Sequence, residues 1–485
     1  MAEIPGPRPL PIIGNLHQVK KPPCLTYYQM ARVHGEIFQI HLGPLTNVVL
    51  NSAEALRQAF SEQGDEFSSR SESFTMFRLY KEVRGEDNSG VTVRSCTDIW
   101  HVQHTVTARA IRYYILEAEN NMFEKSILSE ASSLANTWVG KEVGASCVID
   151  PTDSLQKCVA ILKGAYILGN VRNGIDNFDK RLHAYVQASV EMLEIMRSGF
   201  INDVFPFLNF LTKSKQNRMR QILSVGAEFQ SDIYKAHEAS YVDGSKETVM
   251  DCFATFHAEL EKEEPERPKV ARKTVCGVIP ELFEGITNNR VSFLQLILYM
   301  IYFPEVQEKV RKELKGVVGT SRCPSFEDRQ SLPYTEAVMY EVWRHSSVIH
   351  STVPHTASKD VVLGGRFNYA IPKGSIVVGN LYAIHKDANV WDKPYEFIPT
   401  RYIDQDGRLD EQKVSDTMIF SIGKRSCIAE FFVRRELFLL YSTLLHLCRF
   451  ENDGSELTMQ KVGGILVPGD GSLKIKITRT EVERA

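Results

Sequence analysis

The sequence predicts a mainly α-helical fold with small β-sheets (α+β). Three observations predict it. Apolar residues recur at helical spacing over long stretches of the middle of the chain. Strand-like alternation is confined to short segments near the two ends. No Gly/Ser-rich or Pro-rich linker and no internal repeat divides the 485 residues, so one large body is expected. A hydrophobic fraction of 43% and an aromatic fraction of 10% are ample for an extensive core.

In chain order, residues 1–24 form a proline-rich hinge, Ile4-Pro-Gly-Pro-Arg-Pro-Leu-Pro11 being its stiffest part, and residues 25–485 form a single domain. Glu36–Leu50 alternates around Ile37, Phe38, Ile40, Leu42, Val48 and Val49, predicting a hairpin that turns at Gly43-Pro44. Ser52 is placed to cap a helix running to Phe60. Residues 71–98 lack periodicity and are rich in Ser, Gly, Asp and Asn, which predicts a loop. Helical patterns follow from Trp100 and around Glu119, Asp153, Lys180 and Arg218. The charged stretch Glu259–Lys273, with Pro265 and Pro268, reads as a surface connector. Pro280–Tyr302 is strongly apolar and helical, and Pro304 ends it and opens the amphipathic Glu305–Val318. Lys359–Val378 has strand character broken by glycines and Pro372, and Val462–Ile477 predicts a hairpin turning at Pro468-Gly-Asp-Gly471.

Composition excludes several classes. A net charge of -3 gives no electrostatic reason to expect nucleic-acid binding. Nine scattered cysteines without a CxxC pair argue against a disulfide framework and a structural zinc site, and favour a reducing compartment. No run of about 18 apolar residues is present, so no transmembrane helix is expected within the chain.

The most informative segment is Phe420-Ser-Ile-Gly-Lys-Arg-Ser-Cys-Ile-Ala-Glu430. It sets Cys427 in a glycine-opened basic turn that leads into a helical pattern, Ile428–Leu440. Thiolates are strong, soft metal ligands, and their pKa falls at helix N-termini and beside cations. The segment resembles the haem-thiolate loop of the cytochrome P450 family, Phe-x-x-Gly-x-Arg-x-Cys-x-Gly. Phe420, Gly423, Arg425 and Cys427 match; Ala429 stands where glycine is usual. The resemblance covers nearly the whole chain. It implies the P450 fold, haem b, and Cys427 as the axial ligand of the iron.

Glu341-Val-Trp-Arg344 places a carboxylate and a guanidinium one helical turn apart, among apolar neighbours that predict burial. A buried pair needs further partners, and Arg401 is the candidate. The three resemble the family's structural Glu-Arg-Arg triad. Haem propionates also require cations or donors. Arg425 is the first candidate; Trp100 and His104 resemble the family's Trp-x-x-x-Arg helix with histidine for arginine, and His355 falls where relatives place Arg or His.

The oxygen-side helix departs from the family. Its pattern is Ala/Gly-Gly-x-Asp/Glu-Thr-Thr, in which an acid and an alcohol help deliver protons. Here the stretch is Phe283-Glu-Gly-Ile-Thr-Asn-Asn-Arg290, with Asn288 or Asn289 at the alcohol position by register. Glu284 lies about one turn early, on the same face. An asparagine amide donates a hydrogen bond but cannot relay a proton as a hydroxyl or carboxyl can. Asn288, Asn289, Thr287 and Glu284 are therefore the catalytic candidates. Two reactions fit. The first is monooxygenation of a lipophilic substrate such as a steroid, fatty acid or xenobiotic. The second is rearrangement of lipid hydroperoxides or endoperoxides, which needs no reductase. A catalytically poor haem-binding protein is the third class.

Val348, Ile349, Thr352, Val353, Phe205, Phe207, Ile465 and Leu466 are the candidate pocket residues. No flavin or nicotinamide fingerprint occurs, so electrons must come from another protein. Lys424, Arg434 and Arg435 are the candidate basic patch for it. The resemblance implies NADPH-cytochrome P450 reductase and cytochrome b5 as partners. It also implies contact with the endoplasmic reticulum membrane on its cytosolic face. The expected apolar anchor would precede the hinge, where only Met1, Ala2 and Glu3 stand, as in a truncation.

Overall fold

A computed structural model describes residues 3–71, 74–85, 88, 90–116, 121–454, 457–459, 466–468 and 473–480. Helices dominate. Ile279–Tyr302 runs through the centre; Pro280 sits in its first turn, and Pro304, two residues past its end, opens Pro304–Val318. Phe293, Leu296, Ile297, Leu298, Tyr299 and Met300 are all at most 1% exposed, so this half of the helix is buried around its whole circumference. Asp98–Leu116, Met122–Val139, Thr152–Leu168, Pro333–Ser346 and Glu430–Leu447 contribute to the same core.

The larger sheet has four strands in the order Ile37–Leu42, Leu45–Leu50, Ile376–Gly379 and His355–Thr356. Leu42 pairs with Leu45 across the expected tight turn, and Leu45–Leu50 runs parallel to Ile376–Gly379. Ser52 accepts from the Ala55 N–H as the expected N-cap. The helix Ala53–Arg57 then passes into a π-turn over Gln58–Glu62.

Three expectations need correction. Residues 71–98 are not loop throughout: Thr75–Arg84 is a helix with Phe77, Leu79 and Tyr80 buried. Its flanking polar residues hide a ten-residue amphipathic pattern. The connector is shorter than Glu259–Lys273, because Val249–Glu263 is helical behind a Thr248/Asp251 capping box. At the C-terminus, Leu466–Pro468 pairs with Leu457–Met459, whereas Ile475–Arg479 lies between Ser146–Ile149 and Cys448–Asn452 in a separate sheet. The two arms of the expected hairpin thus have other partners, and residues 469–472 of its turn lie outside the described residues. So does Glu119.

Candidate active site

A cavity of about 440 Å³ opens between the central helix and the segment Ile419–Ala429. Its floor is the cysteine turn. Ile422 is extended, Gly423 adopts φ +76°, and a short 3-10 turn covers Gly423–Arg425. A Cβ on Gly423 would lie 1.7 Å from the Phe60 carbonyl oxygen, so only glycine fits. The Cys427 N–H donates to the Phe420 carbonyl at 2.9 Å, closing the turn. The Phe420 ring packs edge-on against Trp343 at 5.6 Å. Ala429, at φ −97°, occupies ordinary backbone space, so its position does not demand glycine.

Cys427 is exposed to the cavity while lying deep in the protein. Burial pushes its thiol up; the Ala429 N–H and the Lys163 charge act the other way. Among the described residues no group of three His, Cys, Asp or Glu could hold a metal. A metal at Cys427 would take its other ligands from a bound group.

One wall is strongly cationic. Arg425 donates to the carbonyls of Ser68, Val91 and Arg94 at 2.5–2.9 Å and stacks on Trp100 at 4.6 Å. Arg70 donates to Thr92 and Pro354 carbonyls at 2.9 and 2.8 Å. Both line the cavity, and among the described residues neither has a carboxylate partner within hydrogen-bond range. Burial, and then the Arg425 charge, push the Arg70 guanidinium down to about 9. Two buried, mutually repelling guanidiniums form a site for a dianion. His104 and His355 line the same cavity.

The Trp100 indole N–H is committed to the Val91 carbonyl at 3.1 Å, and His104 stacks on that indole at 4.7 Å. Trp100 therefore offers a ring surface and no donor. His355 bonds the Phe67 carbonyl through Nδ1 at 2.8 Å and stacks on Phe60 at 3.8 Å. This contact fixes the proton on Nδ1, so the neutral ring presents Nε2 as an acceptor. Burial and the Arg70 charge hold it well below the usual histidine range, and an anion beside it would oppose both. Sequence reasoning misses Arg70, which belongs to no motif.

Behind the cysteine turn, Glu341, Arg344 and Arg401 meet. Arg344 Nε and Nη2 bond the two Glu341 carboxylate oxygens at 2.7 and 2.8 Å, and Arg401 Nε reaches Oε1 at 3.1 Å. Arg344 also donates to the carbonyls of His385, Pro394 and Glu396. Glu341 and Arg344 side chains are 0% exposed, so this network joins a helix to the meander 385–401 with its charges satisfied.

The central helix forms the opposite wall. Glu281, Glu284, Gly285, Asn288, Asn289 and Ser292 line the cavity, whereas Thr287 is buried on another face. Asn288 is exposed to the cavity. Asn289 points its amide at Glu436, donating at 3.1 Å. Glu436 also accepts from Tyr166 at 2.5 Å and pairs with Lys163 at 3.1 Å. Ser292, one turn beyond Asn288, also lines the cavity, which the family pattern does not reveal.

Of the pocket candidates, Ile349, Thr352 and Val353 line the cavity and Val348 does not. Phe205 and Phe207 pack on each other at 5.8 Å and lie away from it, Phe207 being 71% exposed. Ile465 lies outside the described residues; Leu466 is placed only as part of its strand. Met76, Met192 and Met196 supply apolar lining instead. Each residue of the candidate basic patch has a neighbour. Lys424 pairs with Asp65, Arg434 with Glu430, and Arg435 stacks on Phe326 at 3.8 Å and Phe431 at 4.4 Å.

A lone cavity-facing cysteine below, a dianion-binding wall beside it and an apolar chamber above define a thiolate-ligated haem enzyme. A family model described as cytochrome P450 matches residues 4–475. Cytochrome P450 1A1 of Opsanus tau is 30% identical over 466 residues, covering 93% of this chain and 85% of its own length. The 1A1 proteins of Chelon auratus and Chelon saliens are 30% and 31% identical, covering 96% and 94% of this chain and 88% of each relative. The chain belongs to the cytochrome P450 family. It is a haem-thiolate monooxygenase of that family, whose cofactor is haem b and whose electrons derive from NADPH.

Proposed function

We propose that the chain oxygenates lipophilic small molecules at the cytosolic face of the endoplasmic reticulum membrane, with electrons from NADPH-cytochrome P450 reductase and cytochrome b5 as a second donor. The apolar cavity directly above Cys427 carries this reading. When bound, haem b supplies the oxygen-activating iron. Cys427 would hold it from below, with Phe420 and Gly423 shaping the turn, while Arg70, Arg425 and His104 would receive the propionates, joined by His355 once a neighbouring carboxylate brings a proton onto its Nε2.

On the opposite wall Asn288 and Ser292 line the same cavity. With the group bound, the Ser292 hydroxyl would pass on a proton and regain one from water, which the asparagine amide cannot do. Asn289 is held out of this role by Glu436. A hydroxyl-bearing residue one turn beyond Asn288 supports monooxygenation over peroxide rearrangement.

Membrane contact is supported by Phe207, Phe210 and Leu211, which are 71%, 62% and 62% exposed, and by Ile12 at 80%. Gly43, in the hairpin turn beside the hinge, approaches Val204 and Phe205, which brings these apolar groups to one side of the molecule. Among the described residues no helix is long and apolar enough to cross a membrane.

Reconstitution with reductase tests the reading. Substrate-dependent NADPH consumption with an oxygenated product is expected. Turnover of a lipid hydroperoxide without reductase, and none with it, would refute it.

A further inference from the structure

The roof of the cavity holds a carboxylate, Glu284, one helical turn before Asn288. Glu284 lines the cavity, and two donors converge on one of its oxygens. Tyr80 donates to Oε1 at 2.5 Å and Arg84 at 3.2 Å, while the nearby Tyr185 hydroxyl donates to the Pro280 carbonyl at 2.7 Å. Among the described residues, Oε2 receives no donor. The side chain is 21% exposed, although Arg84 beside it is 2% exposed.

Arg84 bonds Oε1 at 3.2 Å and holds that oxygen in place; the remaining Arg84 nitrogens, Nε and Nη1, are buried. An ionised carboxylate is acceptor-only. An acceptor held rigidly at the edge of an apolar chamber selects a ligand that brings a donor, because any other ligand strips water from Oε2 without replacing it.

The neighbouring Glu281 does not compete. Its two oxygens accept from the Val91 and Thr92 N–H groups at 3.0 and 3.1 Å. The charge balance decides between a neutral and a cationic donor. Glu284 is already matched by Arg84. Burial, together with the Glu284 charge, pushes the Glu281 carboxyl up to about 7, which removes part of the remaining negative charge. A cation would enter a site with little net negative charge left, whereas a hydroxyl needs only the lone pairs of Oε2. The walls next to Glu284 are apolar, formed by Met192, Leu193, Met196 and Leu282.

We propose that Glu284 Oε2 anchors the hydroxyl group of an otherwise apolar, uncharged substrate, so that this enzyme prefers alcohols or phenols of fused-ring size over their unhydroxylated counterparts. This rests on the lipophilic-substrate reading above and narrows it.

The test is an equilibrium titration of the haem-loaded enzyme, followed by its absorbance shift, with naphthalene, 2-methoxynaphthalene, 2-naphthol and a naphthyl-trimethylammonium salt. Expected is a preference for 2-naphthol over 2-methoxynaphthalene of roughly ten- to hundredfold, the strength of a hydrogen bond to a charged group. In Glu284→Gln, which keeps a partner for Arg84, this ratio should fall by about tenfold, with naphthalene affinity unchanged. Glu284→Ala leaves Arg84 buried and unpaired, so it is read only if the thiolate spectrum persists. Equal affinities for naphthol and its methyl ether in the unsubstituted enzyme would overturn the proposal. So would a Glu284→Gln ratio equal to that of the parent, or tightest binding of the ammonium salt. If naphthalene itself neither binds nor is oxygenated, the lipophilic-substrate reading fails instead.

Discussion

The buried pair Lys163–Glu436 permits a quantitative test of how the oxygen-side wall is held. Lys163 Nζ lies 3.1 Å from Glu436 Oε2, and the two side chains are 4% and 0% exposed. Glu436 sits on the helix that follows Cys427 and receives two further donors, Tyr166 and Asn289. Removing only the lysine, in Lys163→Met, leaves a buried carboxylate with two neutral donors and should cost about 3–5 kcal/mol. Glu436→Gln alone leaves a buried ammonium and should cost a similar amount, about 3 kcal/mol. The double variant removes both charges. The carbonyl oxygen of the introduced amide still accepts from Tyr166, and its amino group can pair with Asn289 after the Asn289 amide turns over. The cost of the double variant should be about 1–2 kcal/mol, one altered hydrogen bond. The singles therefore sum to about 6–8 kcal/mol, and the cycle yields a coupling of about 4–7 kcal/mol. Urea unfolding, followed by tryptophan fluorescence and by the haem-thiolate absorbance band, measures all four proteins. Additive singles, or Lys163→Met within about 0.5 kcal/mol of the parent, would refute the buried-pair account.

Other outcomes follow from the same geometry. Gly423→Ala must move the Phe60 carbonyl and adopt φ +76°, so it should abolish the carbon-monoxide-bound reduced band near about 450 nm that reports thiolate ligation. Asn289→Thr should lower stability by about 1–3 kcal/mol through the lost Glu436 contact, with little change in the ratio of peroxide released to product formed. Ser292→Ala should raise that ratio severalfold and Ser292→Thr should restore it; an unchanged ratio in Ser292→Ala removes this hydroxyl from proton delivery. Replacing Phe207, Phe210 and Leu211 together by serine should weaken binding to phospholipid vesicles at least tenfold, because each exposed apolar side chain contributes about 1.5–3 kcal/mol when buried. The thermal midpoint should stay put.

Local patterns in the chain were enough for the floor of the site and its support. Cys427, Gly423 and Arg425 fall within one turn, and Glu341 and Arg344 on one helical turn, so their relation is set by short-range backbone geometry. The hairpin at Gly43, the Ser52 cap and the proline-bounded central helix were legible for the same reason. Thr75–Arg84 was not, because its short amphipathic pattern becomes meaningful only when Lys213–Ser240 covers it.

Family and cofactor could thus be read from the chain alone, since each is written in residues a few positions apart. What surrounds them was settled by packing. Arg70, Arg84, Lys163 and Glu436 are charged residues that any pattern rule assigns to solvent, and their burial depends on elements more than a hundred residues away. The same packing turned Asn289 toward Glu436, left Asn288 and Ser292 facing the chamber, and carried Phe205 and Phe207 away from it. On a helix surrounded by neighbours, adjacent positions look into different environments, and the identity of those neighbours lies outside any local window.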